Sequence, residues 1–320
     1  MKYYSKLLTT LVLLIVSASS LCGATKEKNN PVPFADPYIL SENGKYYMYG
    51  SHFGDGIGVL VSDDMKTWRT PVGAGIHHAL YKDDSYGESN FWAPEVYHVG
   101  DKYYMFYSAE LHICVATSDS PIGPFVQKEK KPYAQNGQNI DNTLFIDYDG
   151  TPYMFWVHFA TEVDGLHIWC AQLEDDLLSI KEGTQRFCTK MSQDWETVWP
   201  AVNEGPFVIK NKDTYYLTYS ANSYESTCYG IGMATTNDIV NGEWTKYEGN
   251  PIFQNPKGLY GVGHHAFFKD ARGKNRIAFH SHNREGQVEP RVIHISTWNF
   301  DKEGVIRVNE KKIFTAEMEK

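Results

Sequence analysis

One pattern constrains this chain more than any other: a three-part unit of short strands that recurs five times. Its cleanest copy runs from Asn203 to Trp244. A strand Pro206 to Lys210 follows a carboxylate at Glu204, and the polar turn Asn211-Lys212-Asp213 leads into the aromatic strand Tyr215 to Ser220. A small-residue strand, Ile231 to Thr235, then precedes a closing Trp244. The period-two alternation within each run reads as β-strand. The other copies are Asp36 to Leu40, Tyr46 to Ser51, Ile57 to Val61 and Trp68; Glu95 to Val99, Tyr103 to Ser108, His112 to Thr117 and Phe125; Asp141 to Asp147, Tyr153 to Val157 and Leu166 to Leu173; and His264 to Lys269, Arg276 to Ser281 and Arg291 to Trp298. Tyr47, Tyr104, Tyr153, Tyr216 and Ile277 are equivalent, at spacings of about 50–60 residues, longer than a minimal propeller blade and so implying inserted loops. The fold expected is all-β, a five-bladed β-propeller with four-stranded antiparallel blades around a central channel. A β-sandwich is the competing architecture, but it has no need to repeat one three-part pattern five times.

Residues Met1 to Ala24 carry Lys2 and Lys6, an apolar run from Leu7 to Val16 and small residues toward Cys22-Gly23-Ala24. That is the form of a secretory signal peptide, with an apolar run too short to span a membrane. A lipid anchor on Cys22 competes with it, although Leu21 sits where lipoprotein signals put a small residue. Residues 25–31 read as a polar linker and 32–320 as the propeller, giving a secreted or periplasmic product. The formal net charge of −9 argues against nucleic acid or an anionic membrane surface as partner. Cys114, Cys170, Cys188 and Cys228 include no CxxC pair, which speaks against zinc; the compartment allows a disulfide whose pairing sequence does not fix.

In a propeller the innermost strand of each blade lines the channel, so equivalent strand heads converge at one mouth. Here we expect those heads to carry Asp36, Glu95, Asp141, Glu204 and His264. Four carboxylates and a histidine around one opening are costly as scaffolding and suit a site. Hydrolysis of a glycosidic bond uses such a set. One carboxylic acid protonates the leaving oxygen, one carboxylate activates water or attacks the anomeric carbon, and a third tunes the acid. With 22 tyrosines and 14% aromatic residues, the chain has rings to stack on sugar faces.

Asp36-Pro37, Trp92-Ala93-Pro94-Glu95-Val96, Ile140-Asp141 and Glu204-Gly205-Pro206, in that order, resemble the signature of glycoside hydrolase family 43, a family of five-bladed propellers. The resemblance covers essentially the whole chain after Asn30. It implies Asp36 as general base, Glu204 as general acid, Asp141 as the residue that orients the acid and tunes its pKa, and an inverting single displacement with no cofactor required for the chemistry. It also implies a substrate-contacting role for Arg291, whose alternative is a surface salt bridge, and a candidate structural Ca²⁺ in the channel at His264, although hard calcium prefers oxygen ligands. Invertase-like propellers, which open on a WMNDPNG-type motif, do not match.

Phe91 and Trp92 are candidates for a sugar-stacking wall, each with blade packing as the alternative. Glu95 is expected in a structural ion pair, and Trp169, Trp195 and Trp199 are candidates for outer sugar contacts. Members of the family release mostly α-L-arabinofuranose or β-D-xylose. The expected product is terminal α-L-arabinofuranose from plant polysaccharide, because no β-sandwich follows the propeller as it does in many β-xylosidases. The runner-up is β-xylosidase or endo-1,4-β-xylanase activity. A non-catalytic carbohydrate-binding propeller is the reading of another class. The protein is expected to act as a monomer on arabinose- or xylose-containing saccharides.

Overall fold

The computed structural model describes residues 30–133, 137–161 and 164–320, and the signal peptide and most of the linker lie outside these. Five antiparallel sheets follow one another along the chain and pack face to face as a propeller. We number the blades I to V. Their inner strands are Ala35–Glu42, Trp92–Val99, Asn139–Ile146, Asn203–Asn211 and Gly263–Lys269. The second strands, Lys45–Phe53, Lys102–Ala109, Pro152–Thr161, Thr214–Ala221 and Asn275–Ser281, are the aromatic runs of the sequence, and the third strands are Gly56–Ser62, His112–Ser118, Gly165–Gln172, Gly230–Thr236 and Val292–Phe300.

The expected boundaries fall within a few residues of the observed ones because tight turns punctuate them. Blade I turns through Asn43-Gly44, both at positive φ (50° and 75°), as a two-residue hairpin of right-twisted strands requires. The outer strands depart most from expectation. Blade I fills its fourth position with His77–Tyr81, while the Trp68 segment bridges Val61 through Arg69 and pairs in parallel with Glu317–Met318. Blade II has three strands and completes its edge with a single bridge between Thr117 and Val126.

Apolar faces of neighbouring blades make the core. Met154, Trp156, Ile113 and Phe106 seal blades II and III, and Phe155, Val157, Leu217 and Tyr219 seal III and IV. At the junction of blades V and I both ends of the chain contribute. Val32 and Phe34 join Ile39, Ile293, Ile295 and Ala316, and the backbone of Val32 donates to Ala316 O at 2.9 Å. Asn30 and Pro31, assigned to the linker from sequence, belong to this closure: Pro31 bridges Glu317 and Met318 N donates to Asn30 O at 2.7 Å. Among the described residues no helix is long and apolar enough to cross a membrane.

Candidate active site

Every inner strand is bulged at the same place, and the bulges build the site. Pairing with the second strand runs in register up to Ala35, Trp92, Ile140, Glu204 and Gly263, and the next residue opens the irregularity. That next residue is Asp36, Ala93, Asp141, Gly205 or His264, and each has left-handed backbone, with φ of 52°, 45°, 50°, 52° and 42°. Bulges of this kind re-aim side chains beside active sites. The equivalence corrects the sequence reading of the heads: the ring is Asp36, Ala93, Asp141, Gly205 and His264. Glu204 stands one residue before its bulge and Glu95 two residues after.

The residue opposite each pre-bulge position is Ser51, Ser108, Val157, Ser220 or His280. Four of these reach into the following blade and accept its bulge N–H. Ala93 N donates to Ser51 Oγ at 2.9 Å, Asp141 N to Ser108 Oγ at 3.0 Å, His264 N to Ser220 Oγ at 2.8 Å and Asp36 N to His280 Nδ1 at 3.1 Å. Val157 offers no acceptor. The N–H of Gly205 is taken instead by Asp141 Oδ2 at 3.2 Å, so the ring closes through a carboxylate. The serines ending the runs YGS, FYS and TYS were visible in the sequence. Their partners, one blade away, were not.

The ring surrounds a narrow cavity of about 10 Å³ lined by Asp36, Tyr38, Glu95, Asp141, Asn142, His264 and His265 among others. Asp36 is buried and heavily bonded: Oδ2 accepts from Ser51 Oγ at 2.5 Å, and Oδ1 accepts from Arg291 Nη1 at 3.0 Å with His264 Nδ1 at 3.3 Å. Burial pushes its carboxyl up, but Arg291, His264 and His280 together outweigh that and hold it well below the usual carboxylate range. Arg291 is therefore no surface ion pair. It heads the third strand of blade V, bonds Glu289 as well as Asp36, and lies over the ring of Tyr224 at 4.6 Å.

Glu204 experiences the opposite surroundings. Its hydrogen-bonding partner is neutral, the hydroxyl of Tyr229 donating to Oε1 at 2.8 Å. Burial first, with the charge of Asp36 adding to it against the Tyr229 bond and Arg291, pushes its carboxyl up to about 7. Asp141 is also pushed up to about 7, by burial first and then by Glu204 and Asp36 against the pull of His264 and the Gly205 N–H. Behind Glu204, the buried Lys246 ammonium donates to Asn203 Oδ1 at 3.0 Å and to both oxygens of Glu196 at 2.7 Å, fixing the residue before it.

Other expectations fare differently. Phe91 is fully buried and stacks on Tyr107 with centroids 6.1 Å apart, so it is core and not a sugar wall. Trp92 is partly exposed and occupies in blade II the rung that Glu204 occupies in blade IV. Glu95 makes no ion pair among the described residues. Tyr97 donates to it, and burial pushes it up to about 8, so it is a neutral acid at the channel wall. Trp195 donates to Gln193 at 2.9 Å and packs on Tyr219, and Trp169 packs on Phe187 and His158, whereas Trp199 is 69% exposed. Among the described residues Cys114, Cys170, Cys188 and Cys228 are free thiols.

A calcium ion fits these residues poorly. His264 Nδ1 faces Asp36 and, at 3.9 Å, Asp141 Oδ2; near them the unpartnered buried polar atoms are Nδ2 and Oδ1 of Asn142 and the ring nitrogens Nδ1 of His265 and Nε2 of His280, which include a single oxygen. Among the described residues no three His, Cys, Asp or Glu side chains group as metal ligands.

A bulge-built ring of two aspartates and a histidine, with a raised glutamate and an arginine at its mouth on a five-bladed propeller, defines a glycosidase-type centre. The chain belongs to glycosyl hydrolases family 43, whose family model matches residues 29–306. Among solved structures, an endo-1,4-β-xylanase from Bacteroides thetaiotaomicron is 42% identical, with a TM-score of 0.85 over 92% of this chain and 99% of that one. A thermostable family-43 glycoside hydrolase is 34% identical, with a TM-score of 0.79 over 88% and 95%. An extracellular exo-α-(1→5)-L-arabinofuranosidase of Streptomyces avermitilis is 26% identical over 212 residues, 61% of this chain and 43% of that protein, so this chain spans less than half of that relative's length.

Proposed function

We propose that this protein is an inverting glycoside hydrolase that removes terminal pentoses, foremost α-L-arabinofuranosyl residues, from plant cell-wall polysaccharides after secretion through its N-terminal signal. The observation that carries this reading is the divergence of two carboxyls at one mouth: Asp36, bonded by Ser51 and Arg291, is kept ionised, while Glu204, buried against a tyrosine hydroxyl, keeps its proton toward neutrality. Pairs of carboxyls whose surroundings drive their proton affinities apart are how one site holds an acid and a base together. Glu204 gives its proton to the leaving glycosidic oxygen. Asp36 takes a proton from the water that attacks the anomeric carbon from the opposite face, and the configuration inverts in one step. Asp141 positions the acid's strand through the Gly205 N–H, Arg291 orients Asp36 and meets the sugar, and Trp92 offers a ring beside the mouth.

Relatives named as extracellular arabinofuranosidases support the pentose and the compartment. A xylan-directed activity is the second reading, favoured by the 42% identity to a protein named as an endo-1,4-β-xylanase over nearly its full length. The deciding assay compares release from 4-nitrophenyl α-L-arabinofuranoside, 4-nitrophenyl β-D-xylopyranoside, arabinan and xylan, with the Glu204→Ala/Asp36→Asn double variant as blank. Arabinose release alone is the expected result. Xylose or xylo-oligosaccharide release overturns the sugar, and polysaccharide binding without release by the parent protein makes it a binding propeller.

A further inference from the structure

Around Glu204 one buried polar group has no part in the proton transfers just described, the hydroxyl of Tyr229. Its ring is fully buried and lies parallel to the imidazole of His280, with centroids 5.8 Å apart and planes 10° from parallel. His280 in turn accepts the N–H of Asp36. The two rings therefore form one packed spacer, bonded at one end to Glu204 and at the other to the backbone of Asp36. Its place depends on Gly263, where an added Cβ would lie 2.1 Å from the Tyr229 ring. The loop that delivers Tyr229 is pinned by Asn222, a buried left-handed residue (φ 70°) whose amide donates to Cys228 O at 2.8 Å and to Trp195 O at 2.9 Å.

We propose that Tyr229 is a positioning residue for the general acid, fixing which oxygen of Glu204 delivers the proton. The hydroxyl donates to Oε1, so Oε1 is the carbonyl oxygen of the neutral carboxyl and the transferable proton sits on Oε2. The carboxyl cannot rotate to exchange the two without breaking the bond. The packing on His280 then sets where Oε2 stands relative to Asp36. Burial and the neighbouring Glu204 raise the tyrosine hydroxyl well above its ordinary value, so it donates throughout the working range. This assignment rests on reading Glu204 as the acid.

Leaving-group dependence separates a positioning role from a purely structural one, because only substrates with poor leaving groups need the proton. Parent, Tyr229→Phe and Glu204→Ala are compared on a methyl pentoside and a 4-nitrophenyl pentoside of the sugar the parent hydrolyses. For Tyr229→Phe, kcat is expected to fall about 10–100-fold on the methyl glycoside, the scale of a misplaced reacting group, and less than about 3-fold on the nitrophenyl glycoside, with KM unchanged. Gly263→Ala, which drives a methyl group into the Tyr229 ring, is expected to reproduce that selectivity if the phenylalanine variant does not fold. Equal losses on both substrates, or a loss confined to KM, overturn the role of Tyr229 while Glu204→Ala remains selective. A Glu204→Ala variant without selectivity overturns the acid assignment itself, and this inference with it.

Discussion

Blade II ends its second strand in Ser108 and blade III ends the matching strand in Val157, and the difference decides what the next blade's bulge must do for itself. After blade II the strained N–H of Asp141 finds a buried hydroxyl and leaves the Asp141 carboxylate free. After blade III the matching residue, Val157, has no acceptor to offer the N–H of Gly205, and the freed carboxylate takes it. A buried N–H without a partner costs about 1–3 kcal/mol, enough to dictate that choice. One apolar residue thereby couples Asp141 to the strand that carries Glu204. The same ring position carries an acceptor side chain in four blades and an apolar one in blade III, where the Asp141 carboxylate takes over the acceptor's role.

Removing the charge from that contact has the largest expected effect. Asp141→Asn should lower kcat by about 100-fold or more. It should also simplify the basic limb of the pH profile: Asp141 and Glu204, both raised to about 7, repel one another and lose protons as a pair, and the variant should show one ionisation displaced downward. Rates measured across pH decide it, and an unmoved limb means Asp141 acts without its charge. Next comes Ser51→Ala, which strips Asp36 of a donor and leaves the Ala93 N–H unpaired. A cost of about 1–3 kcal/mol should appear in denaturant midpoints, together with reduced turnover; intact stability would mean the ring of acceptors is dispensable.

Val157→Ser sharpens the contrast by making blade III like the others. If the new hydroxyl accepts the Gly205 N–H, Asp141 loses a bond that favours its ionised form, and the basic limb should move upward by less than about one unit, with kcat reduced several-fold. A profile identical to the parent's would show that Val157 does not control the coupling. The smallest effect belongs to Glu95, the head that stands off the ring. Its carboxyl is raised to about 8 from an ordinary value of 4.5, so the folded protein holds a proton that the unfolded chain releases. The stability this confers is complete below about pH 4.5 and is lost as pH rises through about 8. Glu95→Gln should therefore flatten the fall in melting temperature over that window, and curves that fall in parallel would refute it.

Much of this was legible in the residues. Five aromatic strands with carboxylates or histidine near the preceding heads specify the propeller and bring Asp36, Asp141, Glu204 and His264 to one mouth, because side-chain alternation and turn chemistry are local properties. Legibility stopped where a contact depends on how strands and loops are brought together. Nothing near Phe91 in the chain reveals that Tyr107, on the neighbouring strand, covers it, whereas Tyr97, two residues after Glu95 on the same strand and face, was a readable partner in place of a cation. Tyr229, just ahead of the third strand of blade IV, lies 25 residues from Glu204 in the chain, and only the folded blade brings the two together. The bulge itself, one extra residue per inner strand, moved two of the five expected heads off the ring.

The left-handed backbone at these heads has a consequence for anyone altering the protein. Asp36, Ala93, Asp141 and His264 hold a conformation that L side chains disfavour by roughly 1 kcal/mol or more each, while Gly205 adopts it freely. A library selected for heat tolerance alone is drawn toward glycine at all four positions, and at two of them that gain removes a carboxylate from the mouth. Selection for endurance and selection for turnover thus pull the same codons in opposite directions, and Ala93 is where the two demands conflict least.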